Sequence, residues 1–352
     1  MYILDMSYPV IILGAGASFD YIADHLQVRE NKLKPPLADG LCNPRRYEEI
    51  IKSYREVEPL IAGASAVLGR KSLEEYLKEV RDKSANNMER QKQLVAFEFY
   101  LHKLFQWISD GFGGQSANNY TELISQINDT AGEACLVTLN YDLLIEQCPN
   151  IIIDENLESY IKGPIKLIKL HGSCDWVYWL DPRRGHFEPI SIENSYDYMM
   201  KKPLSSLRGK YLFHKRCKEY EYRNESGVFH MCPAIAIPLP GKSGYICPDS
   251  HISALKEALS RTDRILIIGW RANDTHLISL IEEHVGPHVD VTIVAGGEEP
   301  AKEVKAKLDH IKNLTFNLSN QTFTGFIRSG DHESFFKTKQ PIIAPEEEEV
   351  AR

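Results

Sequence analysis

The feature that most constrains the fold of this chain is a series of short apolar runs, each ending in a glycine or a polar turn. The runs cover residues 8–13, 134–139, 165–170, 264–269 and 289–295. Stretches with helical patterns separate most of them, and uninterrupted apolar strands that alternate with helices are typical of a parallel sheet covered on both faces. The sequence therefore predicts an α/β fold with a Rossmann-like parallel sheet. A shorter run, Ile151–Ile153, is predicted as a further strand.

A long helical segment separates the first two predicted strands of the sheet. Apolar residues recur at helical spacing from about residue 47 to 127, and Ser72 with Glu75 forms a capping-box pattern at one helix start. This block carries no glycine-rich motif and no cluster typical of catalysis. We interpret residues 42–130 as a helical insertion in the nucleotide fold, serving as a lid or an interaction surface.

The remaining boundaries follow from composition. Residues 176–247 are rich in aromatic and basic side chains without a regular pattern, so they are predicted as an irregular insertion. Residues 336–352 contain the run Glu346–Glu349 and are predicted to be a disordered acidic tail. The part of the chain that precedes this tail, 1–335, is then predicted to be one nucleotide-binding domain.

Charge and cysteine content exclude some classes of function. The 352 residues carry 41 Lys and Arg against 49 Asp and Glu, a net charge of −8, which argues against direct nucleic-acid binding. The apolar stretch at the N-terminus is too short to cross a bilayer and runs straight into a glycine turn, so no membrane association is expected. Seven scattered cysteines without paired spacing are typical of reduced thiols, and a cytoplasmic location is expected.

The first apolar run ends in a turn of small residues, which are Gly14, Ala15, Gly16, Ala17 and Ser18. A glycine at 14 permits a tight turn, and a glycine at 16 permits a phosphate group to approach the backbone closely. The helix that follows would add free amide groups and a partial positive charge. Phe19 occupies the place of the third glycine of a dinucleotide fingerprint, and no P-loop lysine follows. The turn is predicted to bind a pyrophosphate, with a plain strand–helix connection as the alternative.

A second polar group, formed by Thr138, Asn140 and Asp142, stands at the end of the second apolar run. In an open parallel sheet, ligands bind beyond the carboxyl ends of the strands. Asn140 can donate and accept hydrogen bonds at once, which suits ribose hydroxyls and a nucleophilic water. Asp142 is predicted either to bind the amide of a nicotinamide group or to cap the next helix.

His171 ends the third apolar run and precedes Gly172. Among the side chains at these strand ends, it is the one that can exchange a proton near pH 7. Because its place in the predicted topology matches that of Asn140, a catalytic role is favoured over a structural one. Ser173 and Asp175 are predicted either to hold the imidazole or to form a turn.

Together these motifs resemble the SIR2-like domains of bacterial antiphage defence proteins, which are distant relatives of sirtuin deacylases. The matching segments, spread over about residues 8–295, are Gly14–Ser18, Thr138–Asp142, Lys169–Ser173 and Ile267–Asp274. The resemblance implies NAD binding across a Rossmann-like sheet, with Asn140 and His171 as the catalytic pair. It also implies that Gly269, Trp270 and Asp274 of the last segment contact the adenosine side of NAD.

The chain departs from the sirtuin deacylases in two respects. Those enzymes carry two Cys-x-x-Cys pairs that hold a structural zinc, and no metal is expected here because the spacing is lacking among Cys217, His230, Cys232 and Cys247. The Pro-Asp-Phe-Arg segment that deacylases carry after the glycine turn is also missing. Both departures favour hydrolysis of NAD over deacylation.

The resemblance implies an NAD⁺ glycohydrolase, with NAD as the substrate and nicotinamide and ADP-ribose as products. Such proteins are commonly effectors of abortive infection that drain cellular NAD and are held inactive until a signal releases them. A protein partner from a defence complex, or a homo-oligomer, is therefore expected. Two alternatives stay open: an NAD-dependent protein deacylase that uses the same histidine, and a non-catalytic subunit that binds NAD or ADP-ribose.

Overall fold

The computed structural model describes residues 8–22, 34–112, 118–179, 192–201, 212–214, 223–224, 227–228, 231–239 and 244–337. In chain order its strands are β1 (Val10–Leu13), β2 (Ala134–Thr138), β3 (Ile165–Lys169), β4 (Gly172–Trp179), β5 (Leu212–His214), β6 (Arg223–Asn224), β7 (Gly227–Val228), β8 (Met231–Ile235), β9 (Arg264–Ile268), β10 (Val289–Val294) and β11 (Leu314–Ser319). Its α-helices are α1 (Ala15–Phe19), α2 (Glu48–Ser53), α3 (Glu58–Val67), α4 (Leu73–Asp82), α5 (Met88–Phe112), α6 (Asn119–Thr130), α7 (Ile192–Lys201), α8 (Asp249–Arg261), α9 (Thr275–His284), α10 (Glu298–Leu308), α11 (Phe323–Arg328) and α12 (Asp331–Phe336).

Six parallel strands form the central sheet, in the order β11-β10-β9-β1-β2-β3. Leu13 of β1 pairs with Thr138 of β2 on one side and with Ile268 of β9 on the other. The chain moves outward from β1 to β3, returns to the other side of β1, and moves outward again from β9 to β11. The predicted Rossmann-like fold is confirmed. The strand order reverses between β1 and β9, which is where sheets of this kind bind their ligands.

Burial explains why the apolar runs form the central strands. Every residue of β1, β2 and β9 is buried, as expected for parallel strands with helices on both faces. The connections from β1 to β2 and from β9 to β10 run in opposite directions across the sheet. Because such crossovers are right-handed, α6, which precedes β2, and α9, which precedes β10, lie on opposite faces of the sheet. The helices α11 and α12 pack against α6, and α8 packs against α9.

The predicted helical insertion contains α2 to α6, although its limits at 42 and 130 stay a prediction. The expected capping box is present at α4: Ser72 Oγ accepts from the Glu75 amide at 3.2 Å, and Glu75 Oε2 accepts from the Ser72 amide at 2.9 Å. The long helix α5 packs against β4 and β8. These strands belong to a second sheet, which is antiparallel and has the order β5-β4-β8.

Two segments differ from the sequence prediction. Ile151–Ile153 is not a strand; Ile152 is 91% exposed and Asn150 has a left-handed φ of 72°, so the run forms a surface loop. The edge strand β11 lies in a stretch for which the sequence predicts no strand. Its residues are half-buried or exposed, and so it lacks the continuous apolar pattern of the inner strands.

Parts of two predictions lie outside the described residues. The region 176–247, predicted as irregular, contains the end of β4, all of α7 and all of β8, whereas several of its segments are not described. The predicted acidic tail lies outside the description from residue 338 onward. None of the helices in the described ranges is both long enough and apolar enough to cross a bilayer.

Candidate functional site

Four strand ends meet at one edge of the central sheet. The residues that follow β1, β2, β3 and β9 there include Gly14, Asn140, His171 and Gly269. Thr138 pairs with Lys169, so Asn140 and His171 each lie two residues beyond a paired position on neighbouring strands. The Leu170 amide donates to the Thr138 carbonyl at 3.1 Å and continues the ladder past the strands. Because neighbouring strands are about 4.8 Å apart, the two residues predicted to be catalytic follow adjacent strand ends at one edge of the sheet.

The turn predicted to bind pyrophosphate packs directly against the turn after β9. The Gly14 amide donates to the Ile268 carbonyl at 2.9 Å, and the Gly16 amide donates to the Gly269 carbonyl at 3.0 Å. A Cβ atom on Gly14 would lie 2.5 Å from the Gly269 carbonyl oxygen, and one on Gly16 would lie 2.8 Å from Gly269 Cα. The contact between the two turns therefore requires glycine at both positions, whether or not a phosphate binds.

The part of this turn that a ligand can reach is small. Ala15 is exposed and Gly16 is half-buried, whereas Ala17 and Ser18 are buried. Helix α1 has five residues, and the Ala17 amide already donates to the Gly14 carbonyl at 2.9 Å. Pyrophosphate binding at this turn stays a prediction, and it would use the backbone of residues 15 and 16.

Asn140 is held in one orientation by the glycine turn. Its Nδ2 donates to the Gly14 carbonyl and to Ser18 Oγ, both at 2.9 Å, and these bonds use both amide hydrogens. Its backbone amide donates to Thr138 Oγ1 at 3.1 Å, and that hydroxyl donates to the Leu13 carbonyl at 3.2 Å. The side chain of Asn140 therefore offers a ligand its Oδ1 acceptor, and not the donor that the sequence also allows.

Two tyrosines with no predicted role lie behind Asn140. Tyr120, at the start of α6, places its Oη 2.9 Å from Ser18 Oγ. Tyr21 stacks on Tyr120 with ring centroids 6.3 Å apart, and its buried Oη has no hydrogen-bond partner among the described residues. Burial raises the pKa of both hydroxyl groups well above the ordinary value, so both stay neutral. No local pattern marks Tyr120, because it is 102 residues from Ser18 in the chain.

Asp142 is buried near these tyrosines. Its Oδ1 accepts from the Leu144 amide at 3.3 Å in an Asx-type turn, and residues 143–148 form no helix, so the prediction that it caps one is wrong. Its Oδ2 is buried without a hydrogen-bond partner in the described part of the chain. Burial raises the pKa of Asp142, and the Lys169 ammonium and the Ser18 hydroxyl partly oppose that rise. Binding of a nicotinamide amide by Asp142 stays a prediction.

A buried ion pair supports the loop that carries Asn140. Lys169 Nζ donates to Glu146 Oε1 at 2.8 Å and to the Asp142 carbonyl at 2.5 Å. Burial acts to lower the pKa of Lys169, but the Glu146 carboxylate and other negative groups outweigh it and raise the pKa above its usual value. Since Lys169 precedes His171 by two residues, the pair ties the end of β3 to the loop after β2.

His171 pairs with Asp274, which comes from the turn after β9. His171 Nε2 lies 2.8 Å from Asp274 Oδ2, and both side chains are 12% exposed. The other carboxylate oxygen of Asp274 accepts from the Leu277 amide at 2.9 Å and caps α9. The sequence places Asp274 on the adenosine side, whereas the structure places it against the imidazole. Ser173 and Asp175, considered as holders of the imidazole, are buried residues of β4.

The turn that carries Asp274 is held from two sides. Trp270 is buried in the core, and Ala272 adopts a left-handed φ of 50°, which costs a residue other than glycine about 1 kcal/mol. Lys307 of α10 donates to the Arg271 carbonyl at 2.7 Å. The surrounding structure therefore fixes the position of Asp274. Contact of Trp270 and Gly269 with NAD stays a prediction.

A structural zinc would draw its ligands from the cysteines and His230. Within the described ranges, no group of three or more His, Cys, Asp or Glu is placed to hold a metal ion. Cys217 and His230 lie outside those ranges. Cys232 and Cys247 are buried, and burial raises the pKa of both thiols. They are therefore poor metal ligands and weak nucleophiles at neutral pH.

Comparison with known proteins gives distant structural likenesses. No protein-family model and no curated protein matches the chain. Similar solved structures include a SIR2 homologue in complex with NAD, at 13% identity, covering 94% of this chain and 91% of that chain with a TM-score of 0.43. A Sir2 homologue mutant with ADP-ribose has 12% identity, 94% coverage of each chain and a TM-score of 0.42. The fold assignment rests on the strand order of the sheet, since these TM-scores are below 0.5.

Proposed function

We propose that this chain is an NAD⁺ glycohydrolase that cleaves the bond between nicotinamide and ribose. The observation that carries the proposal is the paired arrangement at the ends of β2 and β3. There, Asn140 presents an acceptor and His171 is held by the Asp274 carboxylate at 2.8 Å. Asn140 contacts the glycine turn after β1, and Asp274, the partner of His171, comes from the turn after β9, so the pair is connected to both strands at which the strand order reverses.

Asn140 would bind the attacking water or a ribose hydroxyl. Because both hydrogens of Nδ2 are engaged by protein acceptors, the amide cannot turn over without breaking two bonds. Its Oδ1 is thereby fixed as an acceptor for an O–H group. A water that donates one hydrogen to Oδ1 keeps a lone pair free for attack on the ribose carbon, so the fixed amide lowers the entropic cost of alignment.

His171 would act as the general base. The Asp274 carboxylate orients the ring and stabilises the imidazolium that forms when the base takes up a proton. A base positioned in this way contributes roughly 10²–10⁴-fold to the rate. Asp274 would be a positioning residue in this scheme, since it acts through the imidazole.

The reaction needs little covalent help from the protein. The electron pair of the glycosidic bond leaves on nicotinamide, which departs as a neutral pyridine. The oxygen of water forms the new bond to the ribose carbon, and its proton passes to His171 and then to solvent. The tasks left to the site are to position NAD, to exclude other water and to move one proton.

The residues behind Asn140 fit the nicotinamide end of NAD. Asp142 Oδ2 and Tyr21 Oη are buried polar atoms without hydrogen-bond partners in the described residues. Such orphaned atoms are costly unless a ligand meets them. A carboxamide offers both a donor and an acceptor, so it would have a group to offer each of these two atoms if it entered this part of the site. The reachable backbone at Ala15 and Gly16 would lie under the pyrophosphate.

The biological setting is proposed from the sequence motifs. Their resemblance to SIR2-like defence proteins supports a cytoplasmic effector that depletes NAD in infected bacterial cells. A protein partner or a homo-oligomer would control it. Following cellular NAD during phage infection, with the wild-type chain and with Asn140→Ala, tests this setting. A similar fall of NAD in both would contradict it.

The biochemical test is nicotinamide release from NAD by the purified full chain, with and without an acetyl-lysine peptide. We expect release without peptide, and loss of release in Asn140→Ala with the fold intact. Release that depends on peptide would favour a deacylase. A different outcome is that calorimetry shows tight binding of NAD while no product forms, even after the products of neighbouring genes are added. That result would favour a non-catalytic subunit.

A further inference from the structure

A chain of hydrogen bonds through the hydroxyl group of Ser18 links the Tyr120 hydroxyl to Asn140. Asn140 Nδ2 donates to Ser18 Oγ at 2.9 Å, and Ser18 Oγ lies 2.9 Å from Tyr120 Oη. All three residues are buried. A hydroxyl group that accepts one hydrogen bond and shares a second has little freedom to rotate. The position of the Asn140 amide therefore depends on the Ser18 hydroxyl, and the position of that hydroxyl depends on Tyr120.

Tyr120 is itself held firmly in place. Its ring packs against Tyr21 with centroids 6.3 Å apart and against Phe323 with centroids 5.6 Å apart. The neighbouring Asn119 donates from Nδ2 to the Asp20 carbonyl at 2.5 Å. These contacts tie the first turn of α6 to the segment after α1, so the helical insertion delivers a fixed hydroxyl group to the back of the candidate site.

We propose that Tyr120 is a positioning residue for Asn140. It fixes Ser18, and Ser18 fixes the amide whose Oδ1 meets the attacking water; this role rests on the proposed NAD⁺ hydrolysis. Without the phenol oxygen, Ser18 Oγ can rotate away and one of the two bonds that orient the amide is lost. The helical insertion then contributes a functional side chain, in addition to any role as a lid or a partner surface.

Tyr120→Phe is the central variant, because it removes a single oxygen atom and keeps the ring. We expect kcat for nicotinamide release to fall about 10-fold, the effect of one lost hydrogen bond, while KM for NAD changes less than about twofold. Tyr100→Phe is the matched control. Tyr100 is also a buried tyrosine of the insertion, and its Oη donates to the Leu41 carbonyl at 2.6 Å, away from the site. It should leave kcat unchanged.

A double variant separates positioning from a general structural effect. Ser18→Ala breaks the same chain of hydrogen bonds, so Ser18→Ala with Tyr120→Phe should show the kcat of Ser18→Ala alone. Independent effects that multiply would overturn the proposal, and so would a kcat for Tyr120→Phe within twofold of the wild type.

Crystal structures of the variants give a readout that does not depend on turnover. The Asn140 amide should be displaced or turned in Tyr120→Phe and in Ser18→Ala, and unchanged in Tyr100→Phe. An unmoved amide in Ser18→Ala contradicts the proposal even if Tyr120→Phe fails to fold. A wild-type chain that releases no nicotinamide would refute the proposed function, while the amide positions would still decide whether Tyr120 positions Asn140.

Discussion

The carboxyl edge of the central sheet and the contact between α5 and β4 each contain a histidine, and the two histidines differ in exposure and in hydrogen bonding. At the sheet edge, His171 is partly exposed and lies 2.8 Å from the Asp274 carboxylate. In α5, His102 is buried, and neither of its ring nitrogens has a hydrogen-bond partner within the described residues. Burial lowers the pKa of His102 to about 4, although the nearby Asp175 acts to raise it.

The difference shows what a histidine needs in order to transfer protons. His171 has a carboxylate to stabilise its charged form and some exposure through which a proton can leave. His102 is fully buried and makes no hydrogen bond to a carboxylate among the described residues, and burial outweighs the effect of Asp175, so it stays neutral and serves as a packing group. The low pKa of His102 thus goes with a packing role, whereas the carboxylate partner and the place at the end of β3 mark His171 as the candidate catalytic histidine.

The largest expected effect is the loss of kcat on removal of His171, compared with removal of His102. His171→Ala should lower kcat for nicotinamide release by about 10³-fold, because the general base is lost. His102→Leu should leave kcat within twofold of the wild type and leave stability unchanged or raised, because it removes buried polar atoms that lack partners. Steady-state kinetics and urea denaturation measure both. A loss of kcat in His102→Leu as large as that in His171→Ala would contradict the comparison.

A smaller effect is expected when the His171 partner loses its charge. Asp274→Asn keeps a good cap for α9, so stability should change little, but it removes the carboxylate that stabilises the imidazolium. We expect kcat to fall about 10²-fold. This is less than the effect of losing the base and more than the effect of losing one hydrogen bond.

Thr322→Ala is the control for the capping role of Asp274. Thr322 Oγ1 accepts from the Gly325 amide at 3.1 Å and caps α11, so its loss should cost about 1 kcal/mol of stability without changing kcat. Thermal unfolding and nicotinamide release should therefore separate the two variants. If Asp274→Asn kept both its stability and its kcat, Asp274 would be a cap alone, because asparagine caps a helix as well as aspartate does.

Sequence patterns were enough to predict five of the six strands of the central sheet and to place the candidate site residues at one edge of it. Mainly apolar runs mark β1, β2, β3, β9 and β10, because strands covered by helices on both faces are largely buried. Parallel strands end at one edge, so Asn140 and His171 can be placed together from their positions after two such runs. The edge strand β11 escapes this reasoning because one side of it faces solvent.

The partners within the site could not be predicted in the same way. His171 and Asp274 are 103 residues apart, and Ser18 and Tyr120 are 102 residues apart. Nothing in a short motif specifies which distant side chain will complete a hydrogen bond. The orientation of the Asn140 amide likewise depends on the Gly14 carbonyl, which faces it only after β1 and β2 have paired.

The smallest expected effect is a pH dependence of stability that belongs to His102. Its folded-state pKa of about 4 lies below the ordinary value of 6.5, so the unfolded chain binds a proton first as the pH falls. Its contribution to stability is therefore lost as the pH drops through 6.5, and the loss ends near pH 4. Between pH 7.5 and 5.5 this amounts to about 1 kcal/mol. Urea denaturation at both pH values should show this difference in the wild type relative to His102→Leu. Equal pH dependence in the two proteins would mean that His102 already has a proton or a partner in the folded state, and the contrast with His171 would no longer hold.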